Sequence, residues 1–457
     1  MKKLLPAFLS MSVISACTST YLTETQVVEQ PVKNVIMIVA DGMGPAYTSA
    51  YRYYNDDPAT ESIEKTVFER HLVGSASTYP ARVSGYVTDS AAGATALATG
   101  IKSYNGAIGV DVNKQPVKSV LHTAKNKGMK TGVVVTSQVN HATPASYITH
   151  NESRRNYNEI ANSYVDNGIN TDLLLGGGTQ YFSRDDRNLV AEYQQQGFQY
   201  LESYKQLNTI NASQPVLGLF APVGLPWALD DSDKYRLSTM TQAATKHLTS
   251  ENGYFLLIEA SQVDWAGHAN DIGAAMAEMD DLAKTIEFLE GYVQKHPNTL
   301  VVLTADHSTG GLTIAANGDY KWDPSILRTL SKSTLTIAKT ITESDATVEQ
   351  LSAWLNTDIS QETVIEINSV KRQAERALEA FNSLSSEQQS KKRPPNVTEA
   401  IYKALNKLVN KLTNTGWTTG GHTGVDVPVI AFGAQKELFI GGQDNTDIAK
   451  KIFSILK

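Results

Sequence analysis

The chain has 457 residues, of which 41% are hydrophobic and 19% are charged, and its formal net charge is −7 at pH 7. This length can bury the core of one large α/β domain or of two smaller ones. The acidic balance argues against nucleic acid as a specific partner, because such proteins need a basic surface. A small anionic substrate is still compatible with the negative net charge if metal ions or arginines make the electrostatic potential at its binding site positive.

The N-terminus has the pattern of a bacterial signal peptide, with a basic start, a short apolar run and small residues before Cys17. The last four residues of this pattern, ending at the only cysteine of the chain, resemble a lipobox. We expect residues 1–16 to be removed and a lipid on Cys17 to anchor the exported protein, with residues 17–33 as a polar tether. Because residue 18 is threonine and not the aspartate of inner-membrane retention, an outer-membrane anchor facing the periplasm or the outside is favoured. The alternative is a secreted protein with a chance cysteine.

Six apolar runs of strand length are separated by segments of helix length, at 34–40, 131–136, 171–175, 254–258, 299–304 and 427–432. Continuous runs of this kind are typical of strands that are buried on both faces. Between the fourth and fifth runs, apolar residues recur every three or four positions from Ile272 to Val293, which predicts an amphipathic crossover helix. The alternation predicts an α/β fold, with a doubly wound, mostly parallel central sheet flanked by helices, as a single domain over 34–457.

A helical surface insert is expected at about 345–411, where apolar runs are absent and polar helix formers dominate. Within it, Asn396 and Glu399 are spaced as a capping box that opens a helix. The region 188–233 shows no clear pattern.

Acids and a histidine follow three of the predicted strands, namely Asp41, Glu259, Asp306 and His307. Ligands of doubly wound sheets bind at the carboxyl ends of strands, so these side chains are expected to lie close together. Asp264 and His268 are four residues apart, so on a helix they share one face and could bind one ion. The alternative for each residue alone is a capping acid or a core histidine, but the set predicts a metal site.

Ser90 follows Asp89 and precedes a run of small helix formers. This pattern predicts that Ser90 lies at a helix N-terminus, where free N–H groups favour an anion. The alternative is a serine that only caps the helix.

Six motifs together resemble the alkaline phosphatase family, in the order of the family and from residue 36 to about 433. They are A-D-G-M-G (40–44), T-D-S-A-A-G-A-T-A (88–96), H-A-T-P (141–144), E-A-S-Q-V-D-W-A-G-H (259–268), T-A-D-H-S-T-G-G (304–311) and T-G-G-H-T-G (419–424). The resemblance implies hydrolysis of small phosphate monoesters at alkaline pH, in two in-line steps through a phosphoserine on Ser90. It also suggests a homodimer.

The resemblance further implies two zinc ions and one magnesium ion. The implied ligands of the first zinc are Asp264, His268 and His422. Those of the second are Asp41, Asp306, His307 and the Ser90 oxygen. Those of magnesium are Asp41, Thr143 and Glu259.

Arg154 matches the phosphate-binding arginine of the family, and Asp89 matches the acid that orients it. The neighbouring Arg155 is the other candidate, and a surface arginine paired with Glu152 is the alternative for either.

The chain departs from the best-known enterobacterial pattern at His141, where that branch has an aspartate, and at Trp265, where it has a lysine. Both changes are expected to weaken the third metal site and the retention of phosphate. Six histidines have no assigned ligand role: His71, His122, His141, His150, His247 and His296. Of these, three are interpreted as helix-surface residues: His122, His247 and His296.

Two other functions remain open. One is a member of the same superfamily that prefers diesters. The other is a lipoprotein that binds metal or phosphate without catalysis, although such a protein would be expected to have lost Ser90 or Arg154.

Overall fold

A computed structural model describes residues 31–457. The strands are β1 Asn34–Val39, β2 Leu72–Ser77, β3 Lys130–Gln138, β4 Leu173–Gly177, β5 Gln199–Leu201, β6 Val216–Leu219, β7 Tyr254–Glu259, β8 Thr299–Thr304, β9 Ser308–Thr309, β10 Thr313–Ile314, β11 Thr415–Gly416, β12 His422–Thr423, β13 Val427–Gly433 and β14 Gly441–Asp444. The signal peptide, Cys17 and most of the tether lie outside the described residues.

The helices of the first half are α1 Pro45–Asn55, α2 Val67–Arg70, α3 Ser90–Thr99, α4 Val120–Asn126, α5 Ala142–Ile148, α6 Tyr157–Asp166, α7 Thr179–Phe182, α8 Leu189–Gln195 and α9 Arg236–Leu248. Those of the second half are α10 Gln262–Ala269, α11 Ile272–Lys295, α12 Thr334–Glu343, α13 Val348–Leu355, α14 Gln361–Asn382, α15 Ser386–Ser390, α16 Val397–Thr413 and α17 Asn445–Ile455. Between residues 31 and 457, no helix is both long enough and apolar enough to span a membrane.

Ten strands form the central sheet, in the order β14-β2-β13-β8-β1-β7-β3-β4-β6-β5. Within the described residues, β13 alone runs antiparallel to its neighbours. The prediction of a mostly parallel sheet flanked by helices is therefore confirmed, and each of the six apolar runs overlaps one of its strands. The crossover helix is also confirmed as α11, whose apolar face is buried.

The three central strands end level with one another, and this alignment positions the site. In the register of the sheet, Val39 at the end of β1 lies beside Glu259 of β7 and Thr304 of β8. Every residue of these three strands is buried, because both faces of the sheet are covered. The polar residues that follow β1 and β8 therefore emerge at one edge, next to Glu259.

A buried ion-pair network fixes the helix that follows β7. Arg236 of α9 is fully buried, and its guanidinium donates to Glu278 at 2.8 Å and to Asp281 at 2.9 Å. The same group donates to the Gln262 side chain at 2.6 Å, in the first turn of α10. Because removing one partner of a buried pair leaves an uncompensated charge, this network constrains where α10 begins.

Helices α13 to α16 occupy most of the segment 345–411, and α16 packs against α12 and α14. The Asn396 side chain accepts a bond from the Glu399 backbone N–H, as predicted for a helix start. The reciprocal half of the predicted capping box is missing, because the Glu399 carboxylate pairs with Lys403 at 2.8 Å. That this segment is an insert in a single domain stays a prediction.

Candidate metal centre

Three groups of carboxylates and imidazoles lie at the carboxyl edge of the central strands. In each group one ligand atom per residue lies within 4.8 Å of the others. The groups are Asp264, His268 and His422; Asp41, Asp306 and His307; and Asp41, His141 and Glu259. We refer to them as the first, second and third groups.

In the first group, two imidazole nitrogens face each other. The Nε2 atoms of His268 and His422 are 3.2 Å apart, and His268 Nε2 is 3.3 Å from the Asp264 carboxylate, one helical turn away on α10. Each ring donates its Nδ1–H to a backbone carbonyl, that of Gly420 for His268 and that of Thr88 for His422. In the neutral imidazole such a bond leaves Nε2 unprotonated and able to bind a cation. The hydrogen bond with Asp264 raises the pKa of His268 to about 9, so a cation that binds at this nitrogen would displace a proton. Two ligand atoms of one tetrahedral zinc lie about 3.3 Å apart. The distances from His268 Nε2 to His422 Nε2 and to the Asp264 carboxylate are close to this value.

The second group surrounds the fully buried carboxylates of Asp41 and Asp306. His307 Nε2 lies 3.4 Å from Asp41 Oδ1 and 3.2 Å from Asp306 Oδ2. It also lies 3.1 Å from the Ser90 hydroxyl. Burial, and then repulsion from Asp306, raises the pKa of Asp41, and burial likewise raises the pKa of Asp306. Burial lowers the pKa of His307, which favours the neutral imidazole.

The third group joins Asp41 and Glu259 to His141, which immediately precedes α5. Burial raises the pKa of Glu259 to about 7, and burial together with the Arg154 charge lowers the pKa of His141 to about 3. The Ser137 hydroxyl donates to Glu259 Oε2 at 3.3 Å. The sequence had given His141 no ligand role, yet its ring lies within ligand distance of both acids.

The unsatisfied atoms of these groups fit bound cations. Within residues 31–457, both oxygens of Asp41, one oxygen each of Glu259 and Asp306, and the Thr143 hydroxyl are buried without a hydrogen-bond partner. An uncompensated buried carboxylate costs several kcal/mol, roughly, and a coordinated cation offsets that cost. Thr143 lies in α5 with its side chain fully buried.

Ser90 is the first residue of α3, and Asp89 is the residue that caps this helix, with its carboxylate accepting from the Ala92 N–H at 3.0 Å. The alternative in which Ser90 serves only as the cap is therefore wrong. Arg154 Nη1 donates to the other oxygen of Asp89 at 3.2 Å, and Nη2 lies 3.2 Å from His141 Nε2. The guanidinium thus lies between the residue before Ser90 and the third group.

Neither arginine pairs with Glu152, whose carboxylate binds Lys114 at 2.6 Å. Arg155 is exposed and lines a surface depression that contains none of the residues of the three ligand groups. The structure therefore brings Arg154 into the site and leaves Arg155 outside it.

A residue that sequence reasoning missed connects the first and second groups. The Thr309 hydroxyl donates to Asp264 at 2.5 Å and lies 3.2 Å from His307 Nδ1. It belongs to the motif at 304–311, but only the pairing of β9 with β12 places it between the two ligand groups.

Comparison with known proteins agrees with this geometry. The family model described as alkaline phosphatase matches residues 32–457. Alkaline phosphatase 3 of Bacillus subtilis (strain 168) is 42% identical over 469 aligned positions, which cover 100% of this chain and 97% of that protein.

Among solved structures, the cold-active alkaline phosphatase of a psychrophilic Shewanella species is 48% identical, with a TM-score of 0.84, 93% of this chain covered and 100% of that one. A histidine-to-aspartate variant of the alkaline phosphatase TAB5, described with Mg bound in its M3 site, is 27% identical, with a TM-score of 0.66 and coverage of 94% and 99%. The chain belongs to the alkaline phosphatase family and is a hydrolase of phosphate monoesters.

Proposed function

We propose that the chain hydrolyses phosphate monoesters through a phosphoserine on Ser90, in a site that holds two zinc ions and one magnesium ion. The observation that carries the proposal is the position of the Ser90 hydroxyl. This hydroxyl lies at the start of α3, 3.1 Å from His307 Nε2. Beside it are the buried carboxylates of Asp41 and Asp306, each of which has at least one oxygen without a hydrogen-bond partner among residues 31–457. A nucleophile, an anion-binding helix terminus and cation ligands are therefore adjacent.

The residues that would hold each ion follow from the three groups. Zinc suits the nitrogen and carboxylate ligands of the first group, Asp264, His268 and His422, and of the second, Asp41, Asp306 and His307 together with Ser90. Magnesium prefers oxygen ligands, so we assign it to Asp41 and Glu259 of the third group and, in place of the His141 nitrogen, to the buried Thr143 hydroxyl, which has no hydrogen-bond partner among residues 31–457. When bound, the metal ions lower the pKa of the serine hydroxyl and of water and stabilise charge on the attacking and leaving oxygens.

The chain supplies the nucleophile and the phosphate clamp. The Ser90 hydroxyl gives its proton to water as its oxygen attacks phosphorus, the new bond to phosphorus forms and the bond to the ester oxygen breaks. The leaving oxygen takes one proton from water, so this step neither gains nor loses a proton overall. Water then attacks the phosphoserine, which releases inorganic phosphate and returns a proton to Ser90. Arg154 stabilises the charge on the phosphoryl oxygens, and Asp89 orients its guanidinium.

The test of this function is hydrolysis by protein of known metal content. We expect kcat/KM for 4-nitrophenyl phosphate to exceed that for bis(4-nitrophenyl) phosphate by on the order of 10²-fold, because a diester offers Arg154 fewer charged oxygens. Elemental analysis should find two zinc ions and one magnesium ion per chain. A preference for the diester would instead support the alternative function within the same superfamily.

His141→Asp should strengthen magnesium binding. The buried imidazole is neutral because its pKa is about 3, whereas an aspartate adds negative charge beside Asp41 and Glu259. We expect the magnesium concentration for half-activation to fall on the order of tenfold, with tighter inhibition by inorganic phosphate. The TAB5 variant with an aspartate in place of a histidine, described with Mg in its M3 site, supports this expectation.

The measurement is a titration of magnesium into metal-stripped protein. His141→Asn is the matched control, since it has the size of aspartate without the charge, and it should not gain affinity. Activation curves that superimpose for wild type and His141→Asp would contradict the electrostatic argument, and a loss of stability alone would indicate that the imidazole only packs.

We also propose that the protein is exported and anchored by a lipid on Cys17, which lies outside the described residues. The support is the leader pattern that precedes this single cysteine. Cys17→Ser should move the protein from the detergent phase to the aqueous phase or block processing, because the diacylglycerol expected on Cys17 can no longer be attached. Ser19→Ala, two residues away, should leave the partition unchanged. Wild-type protein found only in the aqueous phase, with an N-terminus other than residue 17, would disprove the anchor.

A further inference from the structure

A cavity of about 660 Å³ opens next to the first ligand group and is not accounted for by the metals or by phosphate. Its inner wall contains His268 and Gly420, whose carbonyl accepts the His268 Nδ1–H. Two indole rings, those of Trp265 and Trp417, also line it. The outer wall is one face of α16. The cavity therefore joins the proposed metal centre to the helical segment that follows α12.

The wall formed by α16 is fixed directly to the end of the helix that carries Asp264 and His268. Asn406 donates to the Ala269 carbonyl at 3.0 Å, and Asn410 donates to the Asn270 carbonyl at 2.9 Å. Both carbonyls belong to the C-terminal end of α10, where backbone oxygens lack partners within the helix. Trp417 donates its indole N–H to Asn410 at 3.1 Å, so the ring is held by the same contact. Hydrogen bonds thus hold this wall of the cavity and the Trp417 ring to the end of α10.

A row of imidazoles leads from Ser90 to this cavity. His307, which lies 3.1 Å from the Ser90 hydroxyl, stacks on His422 with ring centroids 3.5 Å apart. The His268 ring follows, 5.0 Å beyond His422, and borders the cavity. In an in-line displacement the leaving oxygen departs on the side of phosphorus opposite to the nucleophile. For a phosphoryl group held between Ser90 and the first ligand group, that side would face His268 and the cavity.

The charge of the cavity is positive. Among the described residues that line it, Glu399 is the one carboxylate, and it pairs with Lys403 at 2.8 Å. Lys407, one turn further along α16, is exposed, and no carboxylate of residues 31–457 lies within 4 Å of its Nζ. Lys407 also borders the neighbouring depression between α14 and α16, whereas Lys411, a further turn away, borders that depression but not the cavity. Lys407 is therefore available to an anion in the cavity.

We propose that this cavity is the subsite for the leaving group, and that it selects phosphate monoesters whose leaving group carries an aromatic ring and a second anionic group. The ring packs against Trp265 and Trp417, and the anion binds Lys407. The proposal rests on the proposed function, because it takes Ser90 as the nucleophile and thereby sets the direction of departure.

The test compares phenyl phosphate with 4-carboxyphenyl phosphate, two aryl esters that differ in the anionic group. We expect wild type to favour the carboxylated ester about fivefold in kcat/KM, mostly through KM, because an exposed ion pair contributes up to about 1 kcal/mol. In Lys407→Gln this ratio should fall to about one. Lys411→Gln removes the same charge from the same helix outside the cavity, so it should keep both the ratio and the activity of wild type.

The contribution of the ring is measured with inhibitors, so that leaving-group chemistry does not enter. Phenylphosphonate should inhibit at least about fivefold more strongly than methylphosphonate, because the methyl group leaves both indoles uncovered. Equal inhibition by the two phosphonates, an unchanged ratio in Lys407→Gln, or an equal loss in Lys411→Gln would each overturn the subsite. Failure of the proposed function is a separate result, namely that wild type does not hydrolyse phenyl phosphate or forms no phosphoserine on Ser90.

Discussion

Replacing Ser90 by alanine is expected to lower kcat for 4-nitrophenyl phosphate on the order of 10³-fold or more, because the attacking oxygen is lost. The fold should survive the change. Ser90 is buried at the first position of α3, and Asp89, not Ser90, caps this helix. Alanine also retains the backbone N–H groups at the helix start, so phosphate binding should change much less than kcat. The measurement is steady-state kinetics together with inhibition by inorganic phosphate.

A second measurement detects the intermediate directly. Wild type quenched in acid during turnover should yield a phosphorylated peptide that contains Ser90, identified by mass spectrometry. Ser103→Ala is the matched control, since Ser103 is also fully buried but lies outside the three ligand groups, and it should keep wild-type kinetics. An unphosphorylated Ser90 peptide, or a Ser90→Ala variant with more than a tenth of wild-type kcat, would argue against a covalent route.

The central strands and the edge at which the acids meet could be predicted from the sequence because burial leaves a strong signal there. β1, β7 and β8 are covered on both faces, so each is a continuous apolar run. In a parallel sheet the residues after such runs must emerge at the same edge, which is why Asp41, Glu259 and Asp306 were expected together. The structure places them within ligand distance of one another or of shared partners.

The strands at and next to the borders of the sheet could not be predicted, because they lack that signal. β2 has the sequence L-V-G-S-A-S and is mostly only half-buried. β5 has three residues, and β14 reads G-G-Q-D with two exposed glycines. These segments become strands through pairing with a neighbour rather than through apolar periodicity. Residue types alone therefore gave no reason to assign them.

Histidine roles were the least predictable part of the site. His141 is neutral and precedes a short helix, so only the fold shows that it lies beside Asp41 and Glu259. The interpretation of His247 as a surface residue is wrong, because the end of α9 packs against the sheet and buries it. His122 is half-buried and bonds to the Ile148 carbonyl, whereas His296 is exposed after the end of α11. Because neighbouring positions on a helix point to different faces, a shift of one residue can move a histidine between a buried and an exposed environment.

Replacing Asp41 by asparagine is expected to remove metal from two groups at once, because its carboxylate belongs to both the second and the third. An amide presents one oxygen and an NH₂ group, and the latter cannot bind a cation. We expect about one zinc and the magnesium to be lost per chain, with kcat falling on the order of 10³-fold. Elemental analysis after gel filtration measures the first effect. Asp271→Asn is the matched control: Asp271 is equally buried, but its carboxylate is satisfied by Ala274, Thr334 and Tyr402, so metal content should not change.

The same substitution should change thermal stability in opposite directions with and without metal. In metal-stripped protein, burial and the neighbouring acids raise the pKa of Asp41 above its ordinary value of 3.8. Above about pH 3.8 the unfolded chain therefore releases this proton while the folded protein retains it, and the free energy of unfolding falls as the pH rises. At pH 8 the neutral asparagine should therefore raise the Tm of stripped protein by a few degrees, on the order of 2 °C per kcal/mol, and this gain should vanish below about pH 4. In metal-loaded protein the Tm should fall instead, because bound ligands stabilise the native state. Calorimetry in chelator and in zinc measures both shifts, and a Tm that falls equally in the two conditions would show that Asp41 is structural rather than a metal ligand.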